Sequence, residues 1–402
     1  MFRIAGSAEC RGAAREIAAM FEQGCDAVNL ETFRLHPKAL WYVGKAMAVT
    51  YLLSVLCGAL GGWYLYIACA LCLAGIGYGL IQYVFYGRIF DKLFPGAEGQ
   101  NVAGLLEPSG PATQQILIVG HHDSPYIFSF LSRFQRIAFI RFLMAIVSYL
   151  YLSASTVIAG VHHVMSGENS GTSGLPLWLA AVGAFFVLPL FVMMSKKPSP
   201  GAGDNLNATS LAITLSRFFH VEGKKGSTLT RTRLTFLSTD GEEIGQRGAM
   251  AYAERHKSEL LSMPTYVFNI DSVYFLKHLA VLTRDRNCTR KLSDSLVTGI
   301  CAIAEERGIR IRRMAIPFGG GGTDASPFAA LGVPSTTVIG MPTGLISSEH
   351  LYHTERDTAD HIEVQAVEAV LDLAIGFIQT MDTETRLPHT FHAAAYLHYL
   401  LS

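Results

Sequence analysis

The sequence predicts an α/β fold, a mostly parallel sheet sandwiched by helices, carrying four transmembrane helices in two hairpins. Three observations lead there. Charged residues make up 16% of the 402-residue chain and hydrophobic ones 50%, whereas a soluble domain carries roughly 25% charged residues. The deficit is local, concentrated in three stretches without Asp, Glu, Lys or Arg, Ala46–Gly87, Phe142–Gly167 and Asn169–Ser195. Outside them, short apolar or β-branched runs alternate with helical patterns, as in a parallel sheet covered by helices. Lysine plus arginine equals aspartate plus glutamate at 32 each, so the charge balance argues against a nucleic-acid partner.

Residues 1–40 read as an N-terminal helical segment, with Ala, Ile, Met and Phe recurring between Ala13 and Phe21. Met1 to Lys38 mixes Glu, Arg and Asp rather than following the basic, apolar, small order of a secretory signal, so insertion is expected through the protein's own helices. Residues 41–87 form the first hairpin. Ala46 to Gly87 is uncharged, enough for two helices of about 20 residues each, with the turn at Gly61 and Gly62. Residues 142–195 form the second, as Phe142–Gly167 and Asn169–Ser195, split by a polar stretch whose one acid is Glu168 and flanked by Arg141 and Lys196. Gly58, Gly75, Gly77, Ser153 and Ser155 suit close helix packing there.

Residues 88–141 and 196–402 hold the alternating elements. Strands are expected at 116–120, 234–239, 266–270 and 335–340, and helices at 207–219 and 245–257. The seven cysteines are scattered, and their spacing implies neither a disulfide framework nor a thiolate zinc site.

Chemistry gathers where polar residues follow strands, because ligands of open α/β sheets bind beyond the carboxyl ends. Strand 116–120 runs into His121, His122, Asp123 and Ser124; strand 234–239 into Asp240, Gly241, Glu242 and Glu243; strand 266–270 ends on Asp271. Strand 335–340 precedes a loop reaching Tyr352, His353 and Thr354, and Asp204 in GAGDN sits just before a helix. Two imidazoles and three carboxylates suit a pair of zinc ions, since one bridging carboxylate can hold two ions together. Of two adjacent glutamates, one can bind metal while its neighbour accepts a proton from water. No HExxH motif is present, which disfavours a single-zinc protease.

These residues resemble the co-catalytic zinc exopeptidases of metallopeptidase family 28, which includes aminopeptidase Y, bacterial leucyl aminopeptidases and glutamate carboxypeptidase. The motifs that carry the resemblance are HHDS at 121–124, GAGDN at 201–205, GEEIGQRGA at 241–249, NID at 269–271, TDASPFAALGVPS at 323–335 and YHTERDT at 352–358, in the family's order. The resemblance implies the zinc-exopeptidase type of mixed sheet and two Zn²⁺, with other divalent metals as alternatives. It implies metal ligands at His121, Asp204 (bridging), Glu243, Asp271 and His353. Glu242 would be the general base and Asp123 the carboxylate that orients His121. Asp324 and Tyr352 would touch substrate.

The chain departs from the family in two ways. The second hairpin lies between His121 and Asp204, motifs that are close together in most relatives, so 142–195 reads as an insertion into a catalytic domain made of 88–141 and 196–402. Ala325 stands after Asp324 where many relatives have His, which bears on substrate contacts more than on metal binding. His162, His163, His389 and His392 are assigned no ligand role.

The function expected is a membrane-integral exopeptidase acting on peptides, most simply an aminopeptidase. The alternatives are a carboxypeptidase or glutaminyl cyclase on the same scaffold, or a non-catalytic membrane protein that binds peptides. Peptide and lipid bilayer are the expected partners, and the oligomeric state is unknown. Arg34, Lys38, Lys45, Arg88, Lys92, Arg133, Arg136, Arg141, Lys196 and Lys197 all flank one side of the expected spans, and the turns on the other side hold no Lys or Arg. A multi-pass protein with its catalytic domain in the cytoplasm is therefore expected.

Overall fold

The computed structural model describes residues 2–167, 175–224, 229–342 and 349–383, with backbone alone at 129–139, 175 and 223–224. Glu168, most of the turn between the third and fourth expected spans, His389 and His392 lie outside the described residues.

Eleven strands are described, β1 (Ala27–Leu35), β2 (Ala97–Leu106), β3 (Gln114–His121), β4 (Tyr126–Phe128), β5 (Met194–Pro198), β6 (Thr232–Thr239), β7 (Thr265–Val273), β8 (Ala280–Asp285), β9 (Arg290–Lys291), β10 (Arg312–Ala315) and β11 (Ser335–Gly340). The main sheet runs β1-β2-β6-β3-β7-β11-β8-β10, with β9 on β8. Its centre, β6-β3-β7-β11, is parallel, and β2 and β8 flank it antiparallel, making the sheet mixed.

The alternation of side chains along each strand builds a core on both faces. Ile116 and Ile118 of β3 pack with Phe236 and Phe268 beneath helices Ala8–Phe21, Asn207–Lys224, Asp294–Glu306 and Val364–Thr383. Leu117 and Val119 enter the opposite layer, with Leu237, Val267 and Phe328 against helices Arg247–Arg255 and Ala325–Ala330. Both faces of these strands are buried, which is why they appear in the sequence as unbroken apolar runs.

The first 40 residues are not a separate helical segment. Helix Ala8–Phe21 buries Ala14, Ile17 and Phe21 in the main core, and the chain then turns into β1, which pairs with β2 from Ala27↔Leu105 to Leu35↔Ala97. This edge strand is exposed at several positions and carries Asn29, Glu31 and Arg34, so it lacks the apolar run that marks the central strands.

Four described helices are long and apolar enough to cross a membrane: Val43–Leu60, Tyr64–Val84, Ile140–Ser166 and Val364–Thr383. The first three fall in the expected hairpins. Val364–Thr383 is half buried and packs on the sheet through Val370, Leu373 and Phe377. The fourth expected span is described from Leu175 as helix Leu175–Val187 and a 3-10 turn Leu188–Val192, where Pro189 removes a backbone donor.

The hairpin helices pack through Ala48, Tyr51, Cys72, Tyr149 and Leu152. Phenol hydroxyls tie them together, Tyr51 donating to the Ala180 carbonyl at 2.8 Å and Tyr149 to that of Met47 at 2.7 Å. Gly75 permits this contact, since a Cβ there would collide with the Tyr149 hydroxyl, whereas Gly77 faces open space. Outward, Leu56, Trp63, Ile67, Leu73, Ile158 and Val164 are exposed, an apolar belt larger than soluble proteins leave bare.

Candidate metal centre

Parallel pairing brings the strand ends level. His121 of β3 lies opposite Thr239 of β6, and Val119 lies opposite Asn269 of β7, so two residues on His121 and Asp271 finish side by side. Past Thr239 the chain turns at Gly241, whose φ of 78° strains any residue with a Cβ. That turn sets Glu242 and Glu243 beside the strand ends.

Asp204 comes from the irregular turn Ala202–Leu206 that starts helix Asn207–Lys224, and the Asp204–Asn205 peptide is cis. The amides of Gly203 and Asp204 donate to the Asp357 carboxylate at 2.7 and 3.3 Å. His353 has a φ of 55°, uncommon for a residue with a side chain and concentrated at functional sites. Its ring packs 4.3 Å from that of Phe128 and stacks 3.9 Å from that of Tyr352.

The structure brings all five expected ligands together around Asp204. His121 Nε2 lies 3.3 Å from Asp204 Oδ1 and 3.9 Å from Asp271 Oδ2. His353 Nε2 lies 3.3 Å from Asp204 Oδ2 and 3.1 Å from Glu243 Oε2. Two donor triads result, His121–Asp204–Asp271 and Asp204–Glu243–His353, each with its ligand atoms within 4.8 Å of one another. Glu242 Oε2 is 4.0 Å from His121 Nε2. Asp123 is fully buried; its Oδ1 lies 3.3 Å from His121 Nδ1 and accepts the Glu242 amide at 3.2 Å, while Oδ2 accepts the Glu243 amide at 3.1 Å. One carboxylate thus orients the imidazole and both glutamates.

The electrostatics are those of crowded carboxylates. Burial holds Glu242 and Asp271 well above the usual carboxylate range; His121 offsets this in part, and neighbouring acids add to it. Burial and the Asp204 charge push Glu243 up to about 7. Burial would lower His353, but the Glu243 and Asp204 carboxylates raise it to about 10. For Asp204 burial acts upward, but the two imidazoles win and hold it low.

The residues fit a metal pair. His121 Nε2, His353 Nε2, Asp204 Oδ2 and Glu243 Oε1 are buried without a hydrogen-bond partner, although their residues crowd together. Buried polar atoms are ordinarily paired, and imidazole with carboxylate is the donor set of zinc.

Asp324 is fully buried, accepts the Thr239 hydroxyl, and is raised to about 7 by burial. Tyr352 is partly exposed. Its hydroxyl and that of Tyr86 lie 3.8 and 3.6 Å from where a Cβ on Gly321 would sit, so two phenols flank the glycine loop.

Sequence reasoning missed several contributors. Tyr86, at the exit of the first hairpin, stands near enough to Glu242 for the carboxylate to raise its phenol, after burial. Arg3 is buried beneath the site, donating to the carbonyls of His122 and Gly201 at 2.7 Å each. Asp357, within YHTERDT, holds the Gly203 and Asp204 amides. Tyr86 and Arg3 carry no local signal. The second hairpin also adjoins the site, because β4 and β5 pair antiparallel where it leaves and returns, and the Phe128 amide donates to the His353 carbonyl at 3.1 Å.

The resemblance read from the motifs holds in comparisons with known proteins. The family model described as Peptidase family M28 matches residues 191–378. Aminopeptidase YwaD of Bacillus subtilis (strain 168) is 24% identical over 196 residues, 48% of this chain and 40% of that protein, so the match spans less than half of the relative. Among solved structures, BSAP, a zinc aminopeptidase from Bacillus subtilis, aligns with a TM-score of 0.53 at 14% identity, over 96% of this chain and 92% of its own. Fimbriiglobus ruber glutaminyl cyclase aligns with a TM-score of 0.52 at 13% identity, over 94% and 89%. The fold is that of the zinc exopeptidases.

Proposed function

We propose that this chain, which resembles peptidase family M28 in motifs and fold, is a membrane-integral, zinc-dependent exopeptidase, an aminopeptidase that removes residues from free peptide N-termini. The observation that carries the reading is the shared carboxylate of Asp204 between two donor triads, with Glu242 beside them. His121, Asp204 and Asp271 would hold one ion, and Asp204, Glu243 and His353 the other. Such a pair, when bound, polarises the scissile carbonyl and acidifies the attacking water.

The remaining work falls to the protein. Glu242, whose buried carboxylate binds a proton readily, accepts one from the water and returns it to the leaving amine. Asp123 keeps His121 and the Glu242 backbone in place. Asp324, fully buried, accepts the Thr239 hydroxyl and lies near enough to Glu242 and Asp271 to act on both carboxylates. Tyr352 and Tyr86, whose hydroxyls flank Gly321, would donate to the peptide. The hairpins anchor the domain and, through Tyr86 and the β4–β5 ribbon, wall its cleft. The catalytic domain faces the cytoplasm, the side of the basic residues that flank the spans.

The test is hydrolysis by the detergent-purified full chain of matched free-amine and N-acetylated peptides, with and without chelator. Stepwise, chelator-sensitive loss of N-terminal residues from free-amine peptides is expected. Cleavage of N-acetylated peptides alone would make it a carboxypeptidase, cyclisation of N-terminal glutamine alone a cyclase, and binding without turnover a receptor.

A further inference from the structure

Below the catalytic set lies a second cluster of metal-binding side chains, built from residues that flank it in sequence. His122 follows His121 but faces the other way, its Nδ1 held 2.9 Å from the Ser238 hydroxyl. Asp240 precedes the Glu242–Glu243 turn, its oxygens receiving the amides of Gly6 and Gln100 at 3.1 to 3.4 Å. Cys10 projects from the first turn of helix Ala8–Phe21, where Ser7 caps the helix by accepting the Cys10 amide, and its sulfur lies 3.3 Å from Asp240 Oδ1. All three side chains are fully buried. One ligand atom of each lies within 4.8 Å of the others. With Nδ1 occupied by Ser238, the other nitrogen of His122, Nε2, is buried without any hydrogen-bond partner. That is a costly state for a ring nitrogen unless something binds it.

The geometry points to a further metal site formed by Cys10, His122 and Asp240, taking a zinc-like divalent ion and separate from the catalytic pair. Thiolate, imidazole and carboxylate together select zinc or cobalt over magnesium or calcium. Thiolate and carboxylate neutralise the dication, and on binding the Cys10 thiol releases its proton to solvent. Ser238 supplies the outer hydrogen bond that fixes the ligating ring. The ion would fasten the first helix to the ends of β3 and β6, one residue from His121 and two from Glu242, and so hold the catalytic edge level.

Cobalt tests this apart from the peptidase reading, because the catalytic donor set contains no sulfur. The full chain, stripped and reloaded with Co²⁺ in detergent, is expected to show a thiolate-to-cobalt charge-transfer band in the near ultraviolet. Cys10→Ser and His122→Ala should lose the band and one metal equivalent by elemental analysis. His121→Ala and His353→Ala should keep the band while losing other metal. A wild-type Co²⁺ protein without the band overturns the site whether or not the variants fold, as does a band that persists in Cys10→Ser. The catalytic reading would survive either result.

Discussion

Arg247 grips Asp91 with two parallel contacts, Nε to Oδ2 at 3.0 Å and Nη2 to Oδ1 at 3.1 Å, both side chains being less than a tenth exposed. The same guanidinium donates to the carbonyls of Tyr86 and Gly87 at 2.8 and 3.0 Å, and Gln82 reinforces Asp91 at 2.8 Å. Arg247 opens the helix that follows Glu242 and Glu243, and Asp91 lies just past the first hairpin. The pair therefore locks the exit of the hairpin to the turn that carries Glu242 and Glu243.

Removing one partner strands a buried charge, so Asp91→Ala is expected to destabilise the protein by about 3–5 kcal/mol. Adding Arg247→Met should recover part of that loss, giving a non-additive cycle in thermal unfolding in detergent. Additive effects would mean that the two groups do not act as a pair.

Glu242→Gln should keep the metal content near wild type while lowering the hydrolysis rate by on the order of 10²–10⁴. His121→Ala and His353→Ala should instead lose metal, read by elemental analysis. A Glu242→Gln protein that retains most of its activity would remove Glu242 as the base.

Orientation is checked by labelling intact cells with an impermeant thiol reagent. Trp63, 79% exposed at the hairpin turn, is the reporter for the far side. In a Cys57→Ala background, Trp63→Cys should react and Cys288 should not. The reverse pattern would move the catalytic domain, and its peptide supply, outside the cytoplasm.

Asp382 accepts the amides of Thr230, Arg231 and Thr232 and the Thr230 hydroxyl, all between 2.8 and 3.0 Å. Burial alone would raise this carboxyl, but the donors outweigh it and hold it below its ordinary value. Its contribution is fully present above the unfolded value of about 3.9 and is lost as pH falls through the lower folded value. Asp382→Asn should therefore cost thermal stability at pH 6, and the gap to wild type should narrow toward pH 3. A gap that stays constant with pH would refute the charge-dependent part.

The central strands were readable in the sequence because a strand buried on both faces is an unbroken apolar run, as in 116–119 and 266–270. The apolar spans were readable for the same local reason, since the absence of charge is a property of neighbours. Motif spacing carried the candidate metal ligands, because each lies in a short polar run at a strand end, before a helix or in the loop beyond the last strand. Edge strand β1 was not readable, since Asn29, Glu31 and Arg34 interrupt the apolar pattern of a strand with only one neighbour. Nor were Arg3, Tyr86, Asp91 with Arg247, or Cys10 with His122 and Asp240. A buried charge or an orphaned ring nitrogen is defined by its partner, and these partners lie far along the chain, supplied only when the sheet order sets β1, β2 and the hairpin exit beside β3 and β6. Sequence thus determined the central strands, the long apolar helices and the candidate ligands of the motifs; the tertiary structure decided the edge strand and which distant residues meet, because burial and close approach arise only when distant segments pack.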